Sequence, residues 1–232
     1  MTDVELVRKH LSHEQVVTII REYFERCLKK SRATPGGVDI ALQTAIGKAG
    51  FPLVITTNFD SCLEQSGGFQ PRVFFRRDLH VGSSCDTPAD IVAWGCNSDG
   101  TPLLKIQGDV STDGASELVM GYGGYDTYRE ELAPLRPFLQ KHDACCVCYG
   151  SSLDPDANWG YILDTLFGGG ACQQRWRRTH YVVTADPSIA KRERNLWDNY
   201  GIRVVLMQSW EEAEHLLLSL CAAAKRDATC AS

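Results

Sequence analysis

The 232-residue sequence contains no apolar run approaching the ~18 residues that span a bilayer. Its opening, MTDVELVRKH, mixes charges with apolar positions and holds no signal-peptide core. These two absences predict no membrane partner and a reducing, cytoplasmic location. Positive charge is not in excess either. The net charge of −5 leaves no broad footprint for nucleic acid, and the short cluster Arg175, Arg177 and Arg178 reads as solvated surface. Among the ten cysteines, Cys145 and Cys148 have the spacing of half a zinc site, but no second such pair exists to complete it. No metal is therefore expected, and the run ACCVCYG reads more simply as a buried strand in which cysteine packs as a small hydrophobe. Internal repeats and linkers are also lacking. That predicts one domain over residues 1–225, with 1–50 a helical lead-in and 226–232 a disordered tail.

What is present is the balance of an ordinary globular chain, 44% hydrophobic and 23% charged, long enough to bury a substantial core. Apolar residues between Val4 and Leu28 recur at helical spacing, and Ser12 with Gln15 forms a candidate capping box dividing two helices. A helix is expected over 38–48. The chain then reaches the segment around which the rest is organised, PLVITTNFDSCLE from Pro52 to Glu64. Leu53, Val54 and Ile55 read as a strand, Thr56 to Asp60 as a polar turn, and Cys62 onward as a helix. Thr57 and Asn58 are either helix caps or ligand-facing groups.

The same pattern returns. Strands are expected at 72–75, 103–106, 144–149, 180–184 and 202–207, and helices at 125–140, 159–167, 188–200 and 211–224, with a long irregular connection over 80–102. The fully apolar run 144–149 suits a strand buried on both faces of a parallel sheet. Four strands leave into small or polar groups: Thr56 to Asp60, Gln107 to Asp109, Gly150 to Ser152, and Thr184 to Asp186. In a parallel α/β sheet with right-handed crossovers those exits share one edge. The result is a crevice lined by Thr57, Asn58, Asp60, Gly108, Gly150, Ser151, Ser152, Thr184 and Asp186, whose glycines admit close backbone approach. A nucleotide is its natural occupant.

Taken in order, ITTNFD at 55–60, LLKIQGD at 103–109, GYDTYREELAPLRPFL at 124–139, CVCYGSSLDPD at 146–156, and HYVV followed by YGIRVV at 200–205 resemble the sirtuin-like (silent information regulator-like) NAD-binding domains. The similarity covers roughly residues 40–220 and is nearer the divergent bacterial branch than the deacylases. It implies a Rossmann-like parallel sheet with helices on both faces, and NAD as cofactor. It also implies deacylation or, as in anti-phage defence proteins, NAD hydrolysis. By position, Asn58 would lie near the nicotinamide ribose and Asp60 would accept from the carboxamide, while Gly150, Ser151 and Ser152 would face ribose or phosphates.

Two departures redirect the expectation. Where the family carries a His-Gly pair with histidine as general base, this chain has Gln107-Gly108, and a glutamine amide cannot take a proton near neutral pH. Nothing in residues 1–50 matches the family's first strand and Gly-Ala-Gly phosphate loop, which predicts a fragment, a truncated product or a domain completed by another element. The deacylase zinc module is missing as well. Of the six histidines, His80 in the long connection is the best-placed substitute base, against the simpler reading of an exposed loop residue. The leading expectation is a partial NAD or ADP-ribose crevice with lost or reduced catalysis. The alternatives are an active NAD hydrolase using Gln107, Asn58 and Asp60, and a nucleotide-free protein-interaction module.

Overall fold

The structure is a computed structural model that describes residues 12–33, 41–49, 51, 53–65, 73–75, 101–110, 118, 132–136, 147–149 and 180–230. The chain comprises two compact units, Met1–Gly124 with Leu218–Ser232, and Tyr125–Leu217.

The first unit opens with α1 (His13–Ala33). Its start is fixed by the predicted capping box: the Ser12 amide donates to Gln15 Oε1 at 2.7 Å, and the Gln15 amide donates to Ser12 Oγ at 3.3 Å. Two N-terminal amides that have no helical partner are thereby satisfied. After α2 (Ala41–Lys48) come β1 (Val54–Thr56), α3 (Cys62–Gln65), β2 (Val73–Phe75) and β3 (Leu103–Lys105). The strands form one parallel sheet in the order β1-β3-β2, with Val54 and Val73 opposite Leu103, and Thr56 and Phe75 opposite Lys105. As the central strand, β3 is covered on both faces, and Leu103 and Leu104 are fully buried.

The second unit contains β4 (Val147–Tyr149), β5 (His180–Thr184), α4 (Pro187–Ala190), α5 (Glu193–Tyr200) and β6 (Ile202–Leu206), followed by α6 (Trp210–Cys230). The boundary between the units falls within α6. Its sheet is also parallel, in the order β4-β5-β6, and Val182 and Val183 of the central strand are buried. Parallel strands alternating with helices make the chain α/β, as the sequence predicts.

Several boundaries differ from expectation. The helix expected over 188–200 is two, because Arg192 leaves the helical region with φ −104 and ψ 2 before α5 begins. The tail expected to be disordered over 226–232 is helical as far as Cys230. Within the helix expected over 125–140, the described residues show helix at Leu132 and again at Leu135 and Arg136, interrupted by a turn at Ala133 and Pro134. Residues 80–100 of the expected long connection, with His80, and the helix expected over 159–167 lie outside the described residues.

One glycine is required by conformation in the second unit. Gly201 ends α5 in the left-handed region at φ 67, and its amide donates to the carbonyls of Leu196 and Trp197. A Cβ is disfavoured there, so Gly201→Ala is expected to cost about 1 kcal/mol, and Gly201→Asn less. Denaturant midpoints of the two variants against the natural chain measure the difference.

Candidate functional site

The exits of β1 and β3 are brought together by backbone. Because the strands are parallel, Thr57 to Asp60 and Gln107 to Asp109 leave the sheet on the same side. The Ile106 amide donates to the Thr56 carbonyl at 3.1 Å, and the Val110 amide donates to the Phe59 carbonyl at 3.0 Å, so the two exits remain joined beyond the ladder. Each exit is also shaped internally. Thr56 Oγ1 accepts from the Asn58 amide at 3.1 Å, and Asp60 Oδ1 accepts from the Cys62 amide at 2.8 Å. The cap of α3 is therefore the Asp60 carboxylate, not Thr57 or Asn58. Asn58 is left exposed, and its side chain makes no hydrogen bond to the described residues. Thr57 and Gln107 are half-buried. Gly108 is buried with φ 87, a conformation that favours glycine and lets the backbone approach a ligand closely.

Beneath these exits lies Lys105, fully buried in the central strand. Its Nζ donates to Glu64 on α3 at 2.7 Å, to the Asp109 carboxylate in the β3 exit, and to the Asp60 carbonyl in the β1 exit. One ammonium thus faces two carboxylates and a carbonyl dipole. The Glu64 carboxyl is raised above the ordinary value, chiefly by burial, which outweighs the hydrogen bond and charge of Lys105. Its Oε2 is buried without a hydrogen-bond partner among the described residues. Burial, a hydrogen bond to Asp60 and the nearby Asp60 and Glu64 carboxylates push the Cys62 thiol up to about 12. It is a neutral thiol at physiological pH and has no thiolate character to act as nucleophile.

The exit of β5 repeats the first design. Thr184 is fully buried, and its Oγ1 accepts from the Asp186 amide at 3.0 Å, while Asp186 Oδ1 accepts from the Ser188 amide at 2.8 Å and caps α4. Those hydrogen bonds from Ser188 hold the Asp186 carboxyl below its ordinary value. At the other end of β5, His180 is buried, and desolvation lowers its pKa. Gly150, Ser151 and Ser152 lie outside the described residues.

Two parallel sheets whose strands exit into Thr, Asn, Asp and Gly define the setting in which the comparison is decisive. Family profiles match residues 52–205, from the start of the Pro52 segment to within one residue of the end of β6, to the family described as SIR2-like domain. The chain belongs to the SIR2-like domain family. Searches of curated proteins and of solved structures found no match. The SIR2-like region begins after α1 and α2 and takes in the six strands of the described residues, β6 but for its last residue.

Within this SIR2-like domain, Lys105, Glu64 and Asp109 form the centre that motif reading passes over. The signal was a lysine inside an otherwise apolar strand, LLKI, which is costly to bury unless acidic groups meet it. Asp109, four residues on, carries no local sign beyond its place in a polar exit.

Removing one partner of a buried ion pair leaves the other uncompensated. Lys105→Met is expected to destabilise the domain by about 3–5 kcal/mol, and Lys105→Met with Asp109→Leu by less than the sum of the single changes. Urea unfolding of the four chains closes the cycle. Because its folded pKa lies above the unfolded value, Glu64 contributes stability below the ordinary carboxylate range and loses it as pH rises through the folded pKa. The natural chain is therefore expected to gain stability relative to Glu64→Gln as pH falls through that window. A difference independent of pH would show that Glu64 does not titrate with folding.

Proposed function

We propose that the β1/β3 edge binds the ADP-ribose part of NAD and that the domain has lost, or severely reduced, catalysis. SIR2-like domains are generally associated with NAD, on a Rossmann-like sheet with helices on both faces. The residues at this edge suit the nicotinamide-ribose end of such a ligand. Asn58 offers a free amide, Thr57 and Gln107 offer neutral hydrogen-bonding groups, and Gly108 offers close backbone approach. In the second unit the candidate ligand-facing groups are Gly150, Ser151 and Ser152, by family position, and Thr184 and Asp186 at the exit of β5. When bound, NAD supplies the labile bond between nicotinamide and ribose.

The observation that carries the reading is the commitment of the ionisable groups at this edge. Asp60 caps α3, Glu64 and Asp109 are paired with Lys105, and Cys62 is a neutral thiol. Among the described residues at these two exits, the ones left to meet a ligand, Thr57, Asn58 and Gln107, are neutral. Neutral amides orient a ribose or a water but cannot remove a proton, and a general base typically contributes about 10²–10⁴-fold to rate. That no such base stands among the described residues of these two exits disfavours an active NAD hydrolase.

ADP-ribose and NAD are expected to raise the melting temperature, since a ligand that binds only the folded state stabilises it by mass action. Nicotinamide release by the natural chain, followed by mass spectrometry, is expected to be very slow or undetectable, and Gln107→His to increase it. Robust turnover that Asn58→Ala abolishes would establish the hydrolase instead. No thermal shift with either ligand at millimolar concentration would favour the nucleotide-free interaction module. Asp60→Asn retains a side-chain acceptor for α3 while removing the carboxylate charge. With Asp60 committed to α3, the change is expected to affect NAD and ADP-ribose equally, and a loss confined to NAD, which alone carries the carboxamide, would show that the carboxylate meets the ligand.

A further inference from the structure

α1 lies outside the matched region 52–205, yet it is packed against both strand exits of the candidate site. Val16 and Val17 form a buried cluster with Val110 and Leu118, and Ile20 and Phe59 pack against it. Phe59 stands between Asn58 and Asp60, and Val110 directly follows Asp109. The apolar stripe of α1 therefore rests on the two loops that present the ligand-facing groups.

A polar link runs in the same direction. Arg21 Nε donates to the Val110 carbonyl at 2.6 Å, bridging positions 89 residues apart. The Val110 amide in turn donates to the Phe59 carbonyl at 3.0 Å. Helix, β3 exit and β1 exit are joined in series. A guanidinium donating to a carbonyl makes a charge-assisted bond, stronger than a neutral one and directional enough to fix a loop. Arg21 is half-buried, which limits competition from water.

We infer that α1 is a positioning element of the β1/β3 edge and that Arg21 is a positioning residue, holding Val110, and through it the Phe59 turn, in the conformation that presents Asn58 and Gln107. The consequence for ligand affinity rests on the ADP-ribose reading above. The SIR2-like region then does not contain the whole of its own site: a helix before it supplies the brace.

The test uses the full chain with Arg21→Met, Arg21→Lys and, as a control on the exposed face of α1, Ile19→Ala. Residue-resolved amide hydrogen exchange is followed at Val110, with ADP-ribose affinity measured by calorimetry. Loss of a hydrogen bond from a charged group corresponds to about tenfold or more in an equilibrium constant. Arg21→Met is thus expected to accelerate Val110 exchange by about that factor and to weaken ADP-ribose severalfold, while α5 and β6 amides keep their protection. Arg21→Lys is expected to recover part of both effects, and Ile19→Ala to change neither. Val110 exchange unaltered in Arg21→Met overturns the inference. So does faster exchange with unchanged ADP-ribose affinity. Should the natural chain itself fail to bind ADP-ribose, the functional reading falls, and Val110 exchange alone decides whether α1 braces this edge. General loss of protection in Arg21→Met transfers the decision to Arg21→Lys, whose Val110 exchange must exceed that of Ile19→Ala.

Discussion

An ammonium group inside a sheet has to be met by negative charge, and the first unit is organised around that requirement. Lys105 occupies the central strand, between the fully buried Leu104 and the nearly inaccessible Ile106. Desolvating it is expensive, and the attraction to Glu64 and Asp109 offsets the expense only while the geometry is kept. The network therefore specifies arrangement more than it adds stability. A slip of β3 by one residue would turn Lys105 to the opposite face of the sheet and strand the charge, so the register of β3 against β1 and β2 is tied to the same contacts that shape the exits.

The two sheets share a solution for leaving a strand. Thr56 and Thr184 are both the last residue of their strands, and each uses its hydroxyl to accept the amide two residues ahead. In each case an aspartate follows and caps a short helix through an amide two residues further on. Threonine suits this position because its branched Cβ favours the strand while its oxygen begins the turn. The polar character of these exits is thus partly explained by local backbone needs. What remains for a ligand at the first edge is the smaller set not used in that way, Asn58, Thr57 and Gln107.

Sequence reading located the strands and exits because apolar runs and polar turns are local signals. The β1, β3 and β5 strands and the capping box at Ser12 all follow from neighbours within a few positions. What it missed depends on distance or on conformation without compositional cause. The break between α4 and α5 falls at Lys191-Arg192, two good helix formers that give no warning. Glu64 reaches Lys105 across 41 residues, so nothing near either position marks the pair. Periodicity showed that α1 has an apolar face but could not say that Phe59 and Val110 cover it. The SIR2-like family was legible because its motifs occur in order, although no single motif sufficed.

The bridge from Arg21 to Val110 also sets a schedule for synthesis. Chains grow at about 5–20 residues per second, so the 89 residues separating the two positions take roughly 4–18 s to emerge. During that interval Val16, Val17 and Ile20 are present on the nascent chain before Val110 exists. Long-range parallel pairing delays their burial further, because loop closure precedes any gain from contact. A helix made well before its partners is late to find its place, and its apolar stripe stays open to a nascent-chain chaperone in the meantime.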